Sequence, residues 1–99
     1  MKIILTTEIY DSWFDKLRDN QAKARIKARL RRVCDDNFGD VKPVGNGVSE
    51  MRIHYGPGYR LYFIQKKLEI VILLAGGDKS TQAQDIESAL HLAKELKGE

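Results

Sequence analysis

Long apolar runs are missing from this chain. No stretch approaches the ~20 consecutive apolar residues that a membrane-spanning helix requires. The opening Met1-Lys2-Ile3-Ile4-Leu5-Thr6-Thr7-Glu8 is too short in apolar residues for a secretory signal and meets an acid at once. A soluble, cytoplasmic protein without a membrane partner is the expectation. Cysteine is nearly missing too: Cys34 is the single one, which excludes an intrachain disulfide and a cysteine-based zinc site. There is no internal repeat and no low-complexity tract. Gly76-Gly77-Asp78-Lys79-Ser80 lacks the G-x-x-x-x-G-K spacing of a nucleotide-phosphate loop. ATP binding is therefore discounted, and neither cofactor nor metal is expected.

What is present is a chain of 99 residues, enough for one domain over positions 1–99 and too short for a second. A hydrophobic share of 42% is that of a folded protein rather than a disordered one. The formal charge of +3 says less than its distribution. Lys23, Arg25, Lys27, Arg29, Arg31 and Arg32 crowd one short stretch that holds no acid. Such a cluster is either a solvated helix face or the footprint of an acidic partner, nucleic acid or protein.

Hydrophobic spacing gives the elements. Lys2 to Thr6 reads as a strand, and Thr7 as the N-cap of a helix carrying Ile9, Trp13, Phe14 and Leu17. A second helix carries Ala22, Ile26, Leu30 and Val33, so the two form an αα-hairpin. Asn37 to Gly47 reads as loop. From Val48 the period becomes two, with Met51, Ile53 and Tyr55 on one side and Glu50, Arg52 and His54 on the other. Gly56-Pro57-Gly58 is a tight turn, and the next strand alternates Tyr59, Leu61 and Phe63 with Arg60, Tyr62 and Ile64. Leu68 to Ala75 is apolar throughout, as a strand buried on both faces should be. Gly76 to Ser80 reads as loop. A last helix follows, capped by Thr81 with Gln84, and Ile86, Leu90 and Ala93 face the core. The order βααβββα describes an α+β domain, an antiparallel-rich sheet with its helices packed on one face.

If the helices cover the Met51/Ile53/Leu61/Phe63 side, the other side presents Glu50, Arg52, His54, Arg60 and Tyr62, with Lys79 at the rim. Cations bunched on an open sheet face repel one another unless an anion compensates. Phosphate would fit that arrangement. A plain structural reading also stands: Arg52 and Arg60 pair with Glu50, His54 is an ordinary strand residue, Tyr62 packs, and Tyr55, Tyr59, Trp13 and Phe14 belong to the core. Cys34 is then an inert helix residue, and His91 a surface or partner-facing one.

Glu50-Met51-Arg52-Ile53, then Gly58-Tyr59-Arg60-Leu61-Tyr62-Phe63, then Gly76-Gly77-Asp78-Lys79-Ser80-Thr81-Gln82 resemble the RelE/ParE toxin superfamily. The nearest likeness is to its HigB-like "addiction module killer protein" branch. The resemblance covers almost the whole chain, element order included. It implies the toxin half of a type II toxin–antitoxin pair, with a cognate antitoxin, often a helix-turn-helix DNA-binding protein, as partner. Operator DNA would be reached only through that antitoxin. RelE-like and HigB-like members act as ribosome-dependent mRNA endonucleases that inhibit translation, so ribosome and mRNA are implied partners. ParE-like members instead poison DNA gyrase, and the fold does not choose between them.

Under the nuclease reading, the resemblance assigns catalytic positions to Arg52, His54, Arg60 and Lys79. Arg60 would clamp the scissile phosphate through its planar guanidinium. His54 would serve as base or acid, and Lys79 would stabilise charge or protonate the leaving oxygen. Tyr59 and Tyr62 would stack on bases, while Lys23, Lys27 and Arg31 would hold ribosomal RNA. One departure stands out. Such nucleases often carry Tyr, His or Asp close to the C-terminus, whereas this chain ends Ala93-Lys94-Glu95-Leu96-Lys97-Gly98-Glu99. A gyrase-directed toxin and a decayed toxin that survives only as its antitoxin's partner therefore remain open.

Overall fold

The computed structural model describes residues 1–97; Gly98 and Glu99, the last two positions of the expected 1–99 domain, lie outside the described residues. The chain runs β1 (Ile3–Thr6), α1 (Glu8–Lys16), α2 (Asn20–Cys34), β2 (Val41–Gly45), β3 (Val48–Ile53), β4 (Tyr59–Lys66), β5 (Ile70–Gly77), a 3-10 turn at Lys79–Thr81 and α3 (Gln82–Leu96). The strands form one five-stranded sheet in the order β1-β5-β4-β3-β2. β1 lies parallel to β5, and the remaining pairs are antiparallel. The α+β class stands as expected.

Local chemistry fixes where the helices begin. Thr7 Oγ1 accepts the Tyr10 amide at 3.1 Å and starts α1. Asp19 Oδ1 accepts from the Gln21 and Ala22 amides at 2.9 and 3.1 Å and starts α2. Within α1 the buried residue is Tyr10, whereas Ile9, expected inside, is half exposed.

Two differences from the sequence expectation bear on the site. First, part of the 37–47 segment is strand rather than loop. Val41–Gly45 pairs with β3, and Asn46 and Gly47, both at positive φ, form the two-residue turn between them. Pro43 lies in this strand without conflict because β2 is an edge.

Second, the helices lie on both faces. Tyr10, Ala22, Ile26 and Val33 of α1 and α2 pack on Met51, Ile53, Leu61, Phe63, Val71 and Leu73. Ala89 and Ala93 of α3 pack on Val48, Tyr62, Ile64, Ile72 and Leu74 on the reverse side. The cause is in the strands themselves. β4 and β5 are apolar on both faces, and a layer so exposed on either side would forfeit roughly 25 cal/mol for each Å² of apolar surface left wet. The small Ala89 and Ala93 bring α3 close to the sheet, and both are fully buried.

β5 also extends further than expected, through Gly76 and Gly77. These glycines do not bend the chain. A methyl group on Gly76 would overlap the Trp13 indole on the α1 side, and one on Gly77 would overlap the Asp85 carboxylate on the α3 side. Their missing side chains admit a helix against each face of the strand end.

Candidate functional site

At the centre of the α3 side is Glu50, a carboxylate with no solvent exposure. The register of β3 against β4 sets Glu50 opposite Tyr62 and Arg52 opposite Arg60. Four side chains therefore meet on one face. Arg52 Nε donates to Glu50 Oε1 at 3.1 Å, and the Tyr62 hydroxyl donates to Oε2 at 3.0 Å. Gln82, in the first turn of α3, donates its amide to the same Oε2 at 2.9 Å. Arg60 Nε stands 3.7 Å from Oε2 and, among the described residues, finds no hydrogen-bond partner. Burial alone would raise the Glu50 carboxyl's pKa. The hydrogen bonds from Gln82, Arg52 and Tyr62 and the charge of Arg60 outweigh it, so the carboxyl stays below its usual range and ionised. Tyr62 is pushed well above the ordinary phenol range, chiefly by burial and then by the Glu50 hydrogen bond and charge.

Arg60 reaches from this carboxylate toward the β3–β4 turn. Its Nη1 donates to Gly58 O at 2.9 Å. Gly56 and Gly58 both have positive φ, which shapes the loop around Pro57. Lys79 comes to the same place, where its amide hydrogen-bonds Pro57 O at 3.4 Å. A methyl group on Gly58 would fall 3.5 Å from Arg60 Nη1 and 3.7 Å from Lys79 Cβ, so both side chains approach the space beside the bare glycine. Asp78 caps the turn by accepting the Ser80 amide at 2.8 Å and holds Lys79 at its start. Thr81, expected to cap α3 with Gln84, makes no capping bond and donates instead to Asp85 at 2.6 Å.

The expected quartet is thus brought together in part. Arg52, Arg60 and Lys79 gather around Glu50 and Gly58. His54 does not join them, because β3 ends at Ile53 and the imidazole turns to Asp40, with Nε2 2.7 Å from Oδ2. Hydrogen bonding from His54 is the main cause that holds the Asp40 carboxyl below its usual range. His54 then borders a cleft with Arg25, Ala28, Arg29 and Arg32 of α2.

The tyrosines expected to stack on bases are enclosed. Tyr62 is fully buried under α3, and Tyr59 is buried with its ring against Trp13, centroids 6.2 Å apart. Lys23 and Lys27 extend over the Phe14 ring at 5.3 and 5.8 Å, and Arg31 is exposed farther along α2. Arg29 is not on the solvated face with them. It is buried, and its guanidinium donates to Phe38 O, Arg52 O and Asp40 O at 2.9, 2.7 and 3.0 Å. Two residues that organise the site escaped the sequence reading, Gln82 and Asp40. Gln82 closes the Gly76-to-Gln82 pattern, and that was its one signal.

The sequence pattern of the family described as phage-derived protein Gp49-like (DUF891) matches residues 12–97. The chain belongs to that family. Gp49-like proteins are a toxin-like family related to RelE/ParE. A Haemophilus influenzae protein described as uncharacterized is 52% identical over 93 residues, which cover 94% of each chain. The Gp49-like match spans Glu50, Arg52, Arg60, Lys79 and Gln82, so every member of the Glu50 cluster falls inside the family's extent. No helix among the described residues is long and apolar enough to cross a membrane.

Proposed function

We propose that this Gp49-like chain is the toxin of a type II toxin–antitoxin pair and cleaves mRNA on the ribosome, in the manner of the HigB-like branch. The observation that carries the reading is the convergence of Arg60 Nη1 and the stem of Lys79 on the open space beside Gly58, with Arg60 Nε 3.7 Å from buried Glu50. Metal-free strand scission has the RNA 2′-hydroxyl attack the adjacent phosphorus, its proton passing to solvent water, while the 5′-oxygen leaves with a proton. Negative charge grows on the non-bridging oxygens, and a guanidinium beside an ammonium would hold it. Lys79, exposed at the rim, is positioned to supply a proton to the leaving oxygen. Arg52 acts through Glu50 by keeping that carboxylate ionised. The cognate antitoxin, expected to be a helix-turn-helix protein, would neutralise the toxin and carry it to operator DNA.

A second reading has a specific observation behind it. Among the described residues Tyr62 is buried, His54 faces α2 and Asp78 is engaged by Ser80, so the cluster at Gly58 has no free imidazole or phenol as proton acceptor. A toxin that binds DNA gyrase without cutting RNA would need none. The test is brief induction in bacteria without the antitoxin, with 5′ ends of translated mRNAs mapped by primer extension. Cuts within reading frames that require translation and disappear in Arg60→Ala support the nuclease. Growth arrest with intact mRNA overturns it in favour of gyrase, and absence of arrest leaves a decayed toxin.

A further inference from the structure

A separate cationic cleft of about 320 Å³ lies on the opposite side of the sheet from Glu50, lined by Arg25, Ala28, Arg29, Arg32, Ile53 and His54. Its wall is one face of α2. Positions 25, 28, 29 and 32 recur at helical spacing, so their side chains line up along the axis. Ala28 puts only a methyl group into the row and leaves the space between the arginines open. Arg29 forms the floor and is immobilised by three backbone carbonyls, from Phe38, Asp40 and Arg52. Burial first, and then the charge of Arg32, lowers its pKa, as expected where guanidiniums are crowded. Two carboxylates approach the cleft, and both are engaged. Asp40 holds His54 at 2.7 Å, and Asp19 takes the Tyr55 hydroxyl at 3.0 Å while capping α2. Three arginines against two occupied acids leave positive charge unmatched.

We propose that this cleft binds a phosphodiester of single-stranded RNA, with Arg25 and Arg32 gripping the phosphate and His54 closing the rim. An aromatic ring beside the cations favours a nucleotide over a carboxylate side chain. The Arg25 guanidinium lies 4.5 Å from the centroid of the Tyr55 ring, and Tyr55 is held by its hydroxyl, which donates to Asp19 Oδ2 at 3.0 Å. A base next to the gripped phosphate can extend that stack, whereas a glutamate has nothing to offer it. Arg29 Nη1 bonds Arg52 O, so the cleft is tied to the strand that carries Arg52 toward Arg60. RNA leaving the Gly58 site would pass the end of β3 and enter the cleft. The inference rests on RNA being the target, and it goes further by giving the strand a second point of contact.

The experiment is fluorescence anisotropy with a labelled, 2′-O-methylated RNA oligonucleotide that cannot be cut, over a range of salt concentrations. Proteins compared are the full chain, Arg25→Ala/Arg32→Ala, Arg60→Ala/Lys79→Ala and the control Lys94→Ala. Arg25 and Arg32 are exposed, so their loss leaves the core intact. Expected are an affinity loss of about tenfold in Arg25→Ala/Arg32→Ala and a fall of about 0.7 in the slope of log affinity against log salt, the value for one phosphate of a single strand. An unchanged slope there, with binding lost in Arg60→Ala/Lys79→Ala, overturns the cleft and leaves the nuclease reading standing. No RNA binding by the unmodified chain overturns the cleft and leaves the nuclease reading, which places cutting on the ribosome, to the primer-extension test. Tighter binding of a glutamate-rich peptide than of RNA, abolished by Arg25→Ala/Arg32→Ala, overturns the cleft by assigning it to an acidic protein segment.

Discussion

Gln82 donates its side-chain amide to Glu50 Oε2 at 2.9 Å and so joins α3 to a carboxylate 32 positions earlier in the chain. The contact ties the first turn of α3 to the residue that orients both arginines. Gln82→Ala removes a donor from a buried carboxylate that keeps Arg52 and Tyr62, so the expected loss is about 1.5–3 kcal/mol by urea denaturation. Glu50→Ala is more severe. It leaves Arg52 and Arg60 facing each other without an anion, and a loss of about 3–5 kcal/mol is expected.

The same carboxylate sets an acid limit. Its pKa in the fold lies below the 4.5 of an ordinary glutamate, so the folded state binds the proton less readily than the unfolded one. The sign follows: its stabilisation is complete above about pH 4.5 and is lost as pH falls through the lower folded value. Tyr62 behaves oppositely. Its pKa is raised from 10.0, so its contribution is intact below that pH and lost above it. Denaturation midpoints followed across pH should fall at both ends, and Glu50→Gln should flatten the acid limb. An acid limb unchanged in Glu50→Gln would assign it to other carboxylates.

How much of this was legible beforehand depends on the element. The alternation around Met51 and Leu61 placed β3 and β4 and, through them, Arg52 opposite Arg60. The apolar run of β5 already demanded cover on two faces. Helices on a single side contradict that demand, and the open cationic face expected from them is where α3 packs. Asn46-Gly47 between Val44 and Val48 carries the signal of a two-residue hairpin, but Pro43 and the surrounding glycines read as loop, and edge strands tolerate both. His54 was not legible, because whether a strand continues one residue further is a matter of tertiary pairing. Arg29 was hidden among like residues, since only the fold brings three carbonyls to one of six neighbouring cations.

Gly76 and Gly77 supply a packing test. Neither has a positive φ, so alanine costs nothing in backbone conformation, yet its methyl group would overlap Trp13 or Asp85. Overpacking of about 1–3 kcal/mol is expected for each single change. Gly76→Ala combined with Trp13→Leu should recover part of the loss, because the leucine vacates the space. Thermal midpoints measure this, and additive losses would show the two positions to be uncoupled.

Arg29→Lys tests the clamp between α2 and the 38–40 segment. A single ammonium cannot span the carbonyls of Phe38, Asp40 and Arg52 that one planar guanidinium reaches. A loss of about 1–3 kcal/mol is expected, because part-buried carbonyls lose a charged donor, although Asp40 O keeps the Arg52 amide. Retained stability in Arg29→Lys would mean that water replaces the lost donors.

Tyr62→Phe separates the enclosed tyrosine from a base-stacking one. The ring has no solvent exposure, and its hydroxyl serves only Glu50. Phenylalanine keeps the ring and deletes one hydrogen bond to a charged group, so stability should fall by about 1.5–3 kcal/mol while RNA affinity stays the same. Arg60→Ala should do the reverse to cleavage, slowing it about 10²–10³-fold as one cation leaves the developing charge. Measuring stability and mRNA cutting for both variants places each residue on one side of that division. A Tyr62→Phe protein that is stable but fails to cut would make the phenol part of the chemistry, reached only after α3 lifts from the sheet.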